Sequence, residues 1–219
     1  MSRAPRFLIL AEGSFHPVRS KTANACLRYT PERVAAVLDS TQRGKTAQQV
    51  LGFGGTVPVV GSVDEGLAHR PDALLIGIAP QGGQLPTEWR AIILRVLDDG
   101  LDVWSGLHTL LGDDPEFVAH AAATNARIHD LRRPPHDLDV ARGRVRDLAA
   151  TVVLTVGTDC NIGKMTAALQ LLEGLRARGH RVAFAGTGQT GILVDGKGIA
   201  VDAVIADFIA GEEGRLVLE

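Results

Sequence analysis

The sequence is poor in the residues that stabilise secreted proteins and in those that bind nucleic acids. It has only two cysteines, Cys26 and Cys160, which is too few for a disulfide framework, so we expect a protein of the reducing cytoplasm. Phe, Trp and Tyr together make up only 4% of the chain, and the formal net charge is −2. This composition argues against a basic surface and against aromatic stacking platforms, so we expect no nucleic-acid partner.

Long apolar runs are also missing from the 219 residues. No run reaches the roughly 18 residues that a membrane-spanning helix needs. The apolar run at residues 7–11 is too short, and charge follows it too soon, for a secretory signal. We therefore expect neither a membrane partner nor export from the cytoplasm.

Short apolar runs that alternate with helical patterns are the main organising feature of the chain. Residues 86–98 have apolar side chains at helical spacing, and Asp114-Pro115 is typical of a helix start. The alternation predicts an α/β fold, an open parallel sheet with helices on both faces, in a Rossmann-like domain over residues 1–140. A polar break at residues 132–137 precedes a second α/β domain over residues 150–219. The predicted strands of the first domain are residues 7–11, 34–38, 56–60, 73–78, 101–104 and 127–131.

A glycine-rich run stands between a predicted strand at residues 151–156 and a predicted helix at residues 167–178. In this context a turn that ends in Gly163-Lys164 predicts a phosphate-binding loop, or P-loop. The loop amides and the helix N-terminus attract an anion, and Lys164 adds a full positive charge. Met165 stands where the usual motif has a hydroxyl, so Thr166 would supply the metal-binding hydroxyl. The predicted cofactor-binding residues are Gly157, Thr158, Asp159, Cys160, Asn161, Ile162, Gly163, Lys164, Met165 and Thr166.

Two other patterns resemble nucleotide sites but are weaker. Gly44-Lys45-Thr46 ends like a phosphate loop, yet it lacks the leading glycine, so we predict only a turn that enters a helix at Thr46. The first strand is followed by residues 11–15, which lack the G-x-G-x-x-G fingerprint of dinucleotide folds. We therefore predict poor NAD binding, although Asp39, at the end of the second strand, could contact a ribose.

Substrate-binding candidates come from loops that follow predicted strands, because ligands of open parallel sheets bind at the carboxyl ends of the strands. His108 could be a general base, an anion contact or a structural residue. Asp207 follows an apolar run and could hold Mg²⁺, together with Thr166. The predicted substrate-binding residues are Arg28, Gly82, Gly83, Thr187, Gln189 and Thr190.

Five segments of the sequence together resemble a bacterial and archaeal family. The segments are residues 77–80, 105–108, 157–166, 185–191 and 202–208. Its members pair a Rossmann-like N-terminal domain with a P-loop C-terminal domain, and some are assigned as D-glutamate N-acetyltransferases. The loop alone resembles that of dethiobiotin synthetase-like proteins. Family members extend further than this chain, so the resemblance implies an incomplete P-loop domain, in which residues 216–219 would be a further strand.

The resemblance implies acetyl transfer from acetyl-CoA to the amine of an acidic D-amino acid. The loop amides and Lys164 would hold the CoA pyrophosphate, and His108 would accept the amine proton. The residues equally permit ATP- and Mg²⁺-dependent amide ligation, in which Lys164 stabilises the transferring phosphoryl group. A non-catalytic nucleotide-binding module is the third alternative. The expected partners are a small acidic amino acid and, because a sheet edge would be open, further copies of the chain in a homo-oligomer.

Overall fold

A computed structural model describes residues 4–78, 83–159 and 162–218. The chain divides into two compact units, Met1–Arg133 and Pro134–Glu219. The division falls at the polar, proline-rich segment that the sequence marks as a break, a few residues before residue 140. In the ranges that the structure describes, no helix is both long enough and apolar enough to cross a membrane.

The N-terminal unit is built on a six-stranded sheet with the strand order β3-β2-β1-β4-β5-β6. All five neighbouring pairs are parallel, which confirms the predicted α/β class. This is the doubly wound order of Rossmann folds. The strands are β1 (Phe7–Leu10), β2 (Val34–Leu38), β3 (Val59–Val60), β4 (Ala73–Ile76), β5 (Asp102–Ser105) and β6 (Ile128–Asp130).

Among the described residues, five α-helices connect these strands. Each occurs where the sequence has a helical pattern or a capping residue, and short 3₁₀ turns precede several elements. The helices are α1 (Lys21–Tyr29), α2 (Ala47–Leu51), α3 (Val63–Leu67), α4 (Arg90–Asp98) and α5 (Pro115–Thr124).

The core of this unit lies at the centre of the sheet. Every residue of β1, β2 and β4 is buried, as expected for parallel strands that are covered on both faces. Gly66 lets α3 approach closely, because a Cβ there would lie 2.6 Å from Leu8 Cδ2. The continuous apolar sequence of these strands is therefore explained by burial on both faces.

Polar side chains at the helix starts fix several element boundaries. Thr46 and Gln49 form a capping box at the start of α2, so the Gly44-Lys45-Thr46 run is a helix entry, as predicted. The Ser62 side chain accepts from the Glu65 N–H at the start of α3. Asp114 caps α5 by accepting from the Glu116 and Phe117 N–H groups. Each cap uses backbone donors that a helix start otherwise leaves unpaired.

The C-terminal unit is helical where the structure assigns regular elements. Its helices are α6 (Lys164–Ala177), α7 (Gln189–Asp195) and α8 (Ala206–Leu218). The predicted strands at residues 151–156 and 181–185 are wrong, since neither segment is a strand here. The physical reason is the lack of neighbours: in the described part of this unit the one recorded β-pairing is an isolated parallel bridge between Gly186 and Gly198. Without partners, Val152, Val153, Leu154 and Val156 remain 62–78% exposed.

The end of the chain also differs from the prediction. The apolar residues 216–218 continue α8 and do not form a strand, while Glu219 lies outside the described residues. Asp207 lies in the first turn of α8. Contacts of α8 with the start of the unit explain the helix. The Glu212 carboxylate accepts from the Asp139 N–H, and Arg215 donates to Asp137.

Candidate functional site

The predicted phosphate loop leads directly into α6. Gly163 is the N-cap of this helix, with a φ of 103°, a conformation that favours glycine. The Ala167 N–H donates to the Gly163 carbonyl at 2.9 Å. Because this is the first bond of the helix, the N–H groups of residues 164–166 have no partner within it. These donors form the type of helix start that binds anions.

The loop folds back on itself around Gly157. A Cβ on Gly157 would lie 2.3 Å from Ile162 Cδ1 and 3.3 Å from Lys164 Cδ. Lys164 reaches back across the loop, and its Nζ donates to the Asp159 carbonyl. The start and the end of the glycine-rich run are therefore in contact, as a closed phosphate cradle requires.

The charge around the loop favours an anion. The first turn of α6 has no acidic residue, and the helix dipole places partial positive charge there. Lys164 is half-buried and Thr166 is exposed. Cys160 and Asn161, two of the ten predicted loop residues, lie outside the described residues. Of the other eight, residues 157–159 precede these two and residues 162–166 lead into α6.

A second glycine-rich turn precedes α7. Gly186 accepts from the Ile199 N–H at 2.8 Å and donates to the Lys197 carbonyl at 3.2 Å. Of the three predicted substrate contacts in this turn, Thr187 is exposed, Gln189 is half-buried and Thr190 is only 5% exposed. Thr187 and Gln189 can therefore contact a ligand from solvent, whereas Thr190 belongs to the packed interior.

The two predicted metal ligands lie at the starts of different helices. Thr166 is exposed in α6, and Asp207 is exposed in α8. Within residues 4–78, 83–159 and 162–218, no group of three or more His, Cys, Asp or Glu side chains could hold a metal ion. A magnesium site at these residues therefore remains a prediction from the sequence.

The C-terminal unit also has a small cavity of about 230 Å³. It is lined by residues that include Lys197, Glu212 and Arg215, and by none of the described phosphate-loop residues. Glu212 is only 2% exposed and forms an ion pair with Arg215. A buried charge is tolerated when it is paired. Glu212 and Arg215 both belong to α8 and pair with each other, so no ligand is needed to explain the buried carboxylate.

In the N-terminal unit, the structure brings His108 and Gly83 together at the carboxyl end of β5. The Gly83 carbonyl accepts from the His108 N–H at 3.0 Å and from the Thr109 N–H at 3.3 Å. A Cβ on Gly83 would lie 2.2 Å from His108 Cδ2. The His108 side chain is exposed and available to a ligand. Gly82 lies outside the described residues.

Sequence reasoning missed Arg132, which holds the His108 loop. Arg132 is only 7% exposed, and its Nε donates to the Gly106 carbonyl at 2.7 Å. No local pattern could have revealed this contact, because it joins residues from two different strand ends.

Two other N-terminal candidates, Arg28 and Asp39, are not placed to contact a ligand. Arg28 lies in the last turn of α1, which leads to the amino end of β2, and its guanidinium stacks over Phe53 at 4.3 Å from the ring centroid. The structure does not bring Arg28 to the carboxyl ends of the strands.

Asp39 is fully buried, and its carboxylate accepts from the Phe15 N–H and from the Thr41 N–H and hydroxyl. The expectation that Asp39 could contact a ribose is therefore wrong. The carboxylate fastens the loop after β1 to the end of β2.

Cys26 is buried on α1, and burial raises the pKa of its thiol to about 12. A thiol that is neutral at physiological pH is a weak nucleophile. Cys26 is therefore a core residue.

Comparisons with curated proteins give two similar relatives, both bacterial. A protein from Tritonibacter scottomollicae named D-glutamate N-acetyltransferase is 43% identical over 150 residues, which are 68% of this chain and 44% of the relative. A Pseudoalteromonas protein with the same name is 39% identical over 150 residues, 68% of this chain and 45% of the relative. The matched region is thus less than half of each relative.

A solved structure shows the same fold. It is the crystal structure of a DUF1611 family protein from Anabaena variabilis, with a TM-score of 0.92 and 39% identity. The match covers 98% of this chain and 62% of that chain.

Two domain descriptions of that same family match this chain. The Rossmann-like domain of unknown function, DUF1611_N, matches residues 40–134, and the P-loop domain, DUF1611_C, matches residues 139–219. Together with the fold and the loop geometry, these matches show that the chain belongs to the DUF1611 family of Rossmann-like and P-loop proteins.

Proposed function

We propose that this chain carries the acyl-transfer activity for which its relatives are named, with acetyl-CoA as donor and the amine of D-glutamate, or of a similar acidic D-amino acid, as acceptor. The identity of 43% and 39% to two proteins named D-glutamate N-acetyltransferase is the observation that carries the proposal. The matched region covers less than half the length of those relatives, so the activity is proposed here for that region.

The loop before α6 is the proposed site for the CoA pyrophosphate. Its unpaired N–H groups and the helix dipole favour an anion, and Gly157 leaves the space that the Ile162 and Lys164 side chains occupy. The Lys164 ammonium would exchange its bond to the Asp159 carbonyl for a stronger, charge-assisted bond to a phosphate oxygen.

The transfer step needs a base. The substrate ammonium must lose one proton before its nitrogen attacks the thioester carbonyl, where an N–C bond forms and the C–S bond breaks. The nitrogen loses a second proton as the amide forms, and the CoA thiolate takes up one proton to leave as the free thiol. His108, exposed at the end of β5, is the proposed acceptor of the ammonium proton, since imidazole titrates near neutral pH.

The loop also supports a second function, ATP-dependent amide ligation. The observation that favours it is Lys164, which directly follows Gly163 at a helix start, as in phosphoryl-transferring loops. Thr166 and Asp207 would be the residues to hold Mg²⁺ in that case. A nucleotide-binding module without turnover is the remaining alternative.

The test is a turnover assay of the purified chain with acetyl-CoA and D-glutamate, in which the release of the CoA thiol is measured. We expect turnover with D-glutamate and less with L-glutamate, and a loss of about 10²-fold or more in His108→Gln. Substrate-dependent release of ADP from ATP, without thiol release, would instead support the ligase.

Nucleotide or CoA binding without any turnover would contradict both enzymes. A thermal-shift screen of acetyl-CoA, ATP, ADP and NAD detects this outcome, because a ligand of the native state raises the melting temperature.

A further inference from the structure

The loop that carries His108 has no regular secondary structure, so contacts with other segments have to fix it. Ser105 ends β5, and its Oγ accepts from the Leu107 N–H at 3.2 Å. The Gly83 carbonyl, from the segment that follows β4, accepts from the N–H groups of His108 and Thr109. Leu107 is only 2% exposed and anchors the loop in the core. The backbone on both sides of His108 is therefore held in place.

Arg132 adds a contact from the neighbouring strand. Beyond the end of β6, the Leu131 N–H donates to the Ser105 carbonyl at 2.8 Å, which continues the pairing of β5 with β6. Arg132 comes next and is only 7% exposed, and its Nε donates to the Gly106 carbonyl at 2.7 Å. A bond from a guanidinium is charge-assisted and therefore stronger than a neutral hydrogen bond. Because burying a charged side chain is costly, packing alone does not explain an arginine at this position.

The imidazole of His108 depends on this backbone for its position. It makes no hydrogen bond to any residue that the structure describes, and its Cδ2 lies so close to Gly83 that a Cβ there would come within 2.2 Å. A general base has to lie within hydrogen-bond reach of the proton that it accepts. A displacement of about 1 Å can lower a rate about 10²-fold, so a shift of Gly106, two residues before His108, would matter for catalysis.

We propose that Arg132 is a positioning residue for His108 and acts through its bond to the Gly106 carbonyl. Its guanidinium does not contact the reacting atoms. It holds the backbone so that the imidazole stays where it can accept a proton from the substrate ammonium. The catalytic consequence rests on the proposed function of His108 as the base, whereas the placement of the loop can be measured without it.

Two substitutions separate the hydrogen bond of Arg132 from its charge. Arg132→Met removes every donor of the side chain. Arg132→Gln removes the charge but keeps a donor nitrogen as many bonds from Cα as the arginine Nε. Arg133→Met is the matched control, because Arg133 is the next arginine in the chain and pairs with Asp113 and Asp130.

The kinetic experiment measures kcat and KM with acetyl-CoA and D-glutamate. We expect kcat to fall about tenfold or more in Arg132→Met, with an unchanged KM for acetyl-CoA, whereas Arg132→Gln and Arg133→Met keep most of kcat. In a His108→Gln background, Arg132→Met should cause no further loss, because the effects of residues that act as a unit are not additive.

The structural experiment needs no turnover. In the ¹⁵N-labelled full chain, the amides of His108 and Thr109 should exchange about tenfold faster in Arg132→Met than in the unaltered chain. Arg132→Gln and Arg133→Met should change these rates little. If the unaltered chain shows this contrast but no turnover, the proposed acetyl transfer fails and the placement of His108 by Arg132 stands.

Three results would overturn the proposal. The His108 and Thr109 amides could exchange at the same rate in Arg132→Met and Arg133→Met. Arg132→Gln could lose tenfold in kcat or exchange these amides tenfold faster, which would assign the effect to the charge and decides the question even if Arg132→Met does not fold. The losses caused by Arg132→Met and His108→Gln could also multiply, which would show that Arg132 acts independently of His108.

Discussion

Two lysines that follow a glycine show how context determines what a residue can do. Lys45 donates to Gln42 Oε1 at 2.8 Å, ahead of a five-residue helix whose first turn is already closed by a capping box. Lys164 begins a 14-residue helix whose N-cap is a glycine without a capping side chain. Only the second arrangement leaves helix donors and a lysine together for an anion.

The first prediction compares these two lysines. Lys164→Ala should weaken the binding of acetyl-CoA or ATP about tenfold or more, because it removes a charge-assisted contact of roughly 1.5–3 kcal/mol. Lys45→Ala is the matched control and should bind as the unaltered chain does. Isothermal titration calorimetry measures the affinity of each variant for acetyl-CoA or ATP. Equal affinity in the two variants would exclude the loop before α6 as the binding site.

The sequence predicts residue roles when these depend on near neighbours. The loop at residues 157–166 could be found because strand-like, glycine-rich and helical patterns follow one another directly. The roles of Asp39 and Arg132 could not, since their partners, Phe15 and Gly106, are distant in the chain.

At the scale of the element, Asp114 joins the start of α5 to α4. It caps α5 and accepts a two-pronged bond from Arg90 at 2.7 and 2.8 Å. The bond to Arg90 lowers the pKa of Asp114 to about 2, and the same bond raises the pKa of Arg90.

The second prediction follows from the sign of this shift. Because the pKa of Asp114 is lower in the folded state, its contribution to stability is complete above about pH 4 and is lost as the pH falls toward 2. Asp114→Asn should therefore flatten the fall in stability between these pH values. Urea unfolding at several pH values measures this. Asp64→Asn, whose side chain is 77% exposed, is the control, and an equal flattening in both variants would contradict the prediction.

The third prediction concerns the turn before α7. A Cβ on Gly186 would lie 2.8 Å from the Ile192 backbone nitrogen and 2.9 Å from the Gly191 carbonyl carbon. Gly186→Ala should therefore destabilise this turn by about 1–3 kcal/mol, as overpacking does. Gly188→Ala is the matched control, since nothing lies within 4 Å of its Cβ position.

Amide exchange of Ile199, whose N–H donates to Gly186, reports on the turn. We expect much faster exchange in Gly186→Ala and little change in Gly188→Ala. The same exchange rate in both variants would show that the close approach of Gly186 to Gly191 and Ile192 does not affect the stability of the turn.

Local patterns predict most elements of the N-terminal unit, since all six of its strands overlap the predicted runs. Helix α5 has its cap and its proline side by side in the sequence, and its start at Asp114-Pro115 was predicted correctly. Residues 151–156 have a strand-like composition but form no strand, because a strand also requires a neighbour to pair with. Pairing depends on distant residues, so composition alone could not reveal it.

At the scale of the whole molecule, the two units differ in how their apolar segments are covered. Leu74 and Leu75 are fully buried in β4, whereas Leu154 and Val156 are 73% and 78% exposed. Exposed backbone without hydrogen bonds opens at little cost in free energy.

The fourth prediction is a contrast in hydrogen exchange. In dilute solution, the amides of residues 152–156 should exchange at nearly the rate of an unfolded chain. The amides of residues 74–76 should exchange only when the whole unit unfolds. Equal protection of the two segments would show that residues 152–156 pair in solution.

The fifth prediction is self-association through residues 152–156. An exposed apolar segment with free backbone donors pairs readily with another copy of itself, so we expect a homo-oligomer whose population grows with concentration. Val153→Lys should lower that population, because charge blocks edge pairing. Sedimentation velocity measures it, and an unchanged distribution would place any interface elsewhere.

The position of β1 in the sheet has a consequence for synthesis on the ribosome. Phe7–Leu10 is made before β2 and β4, yet it lies at the centre of the sheet and pairs with both. Its second neighbour does not exist until Ile76 has left the exit tunnel. Until then the nascent chain presents one apolar edge of its most buried strand to the surrounding solution, where unpaired strand edges aggregate. Binding by a chaperone to the emerging N-terminal segment would protect it during that interval.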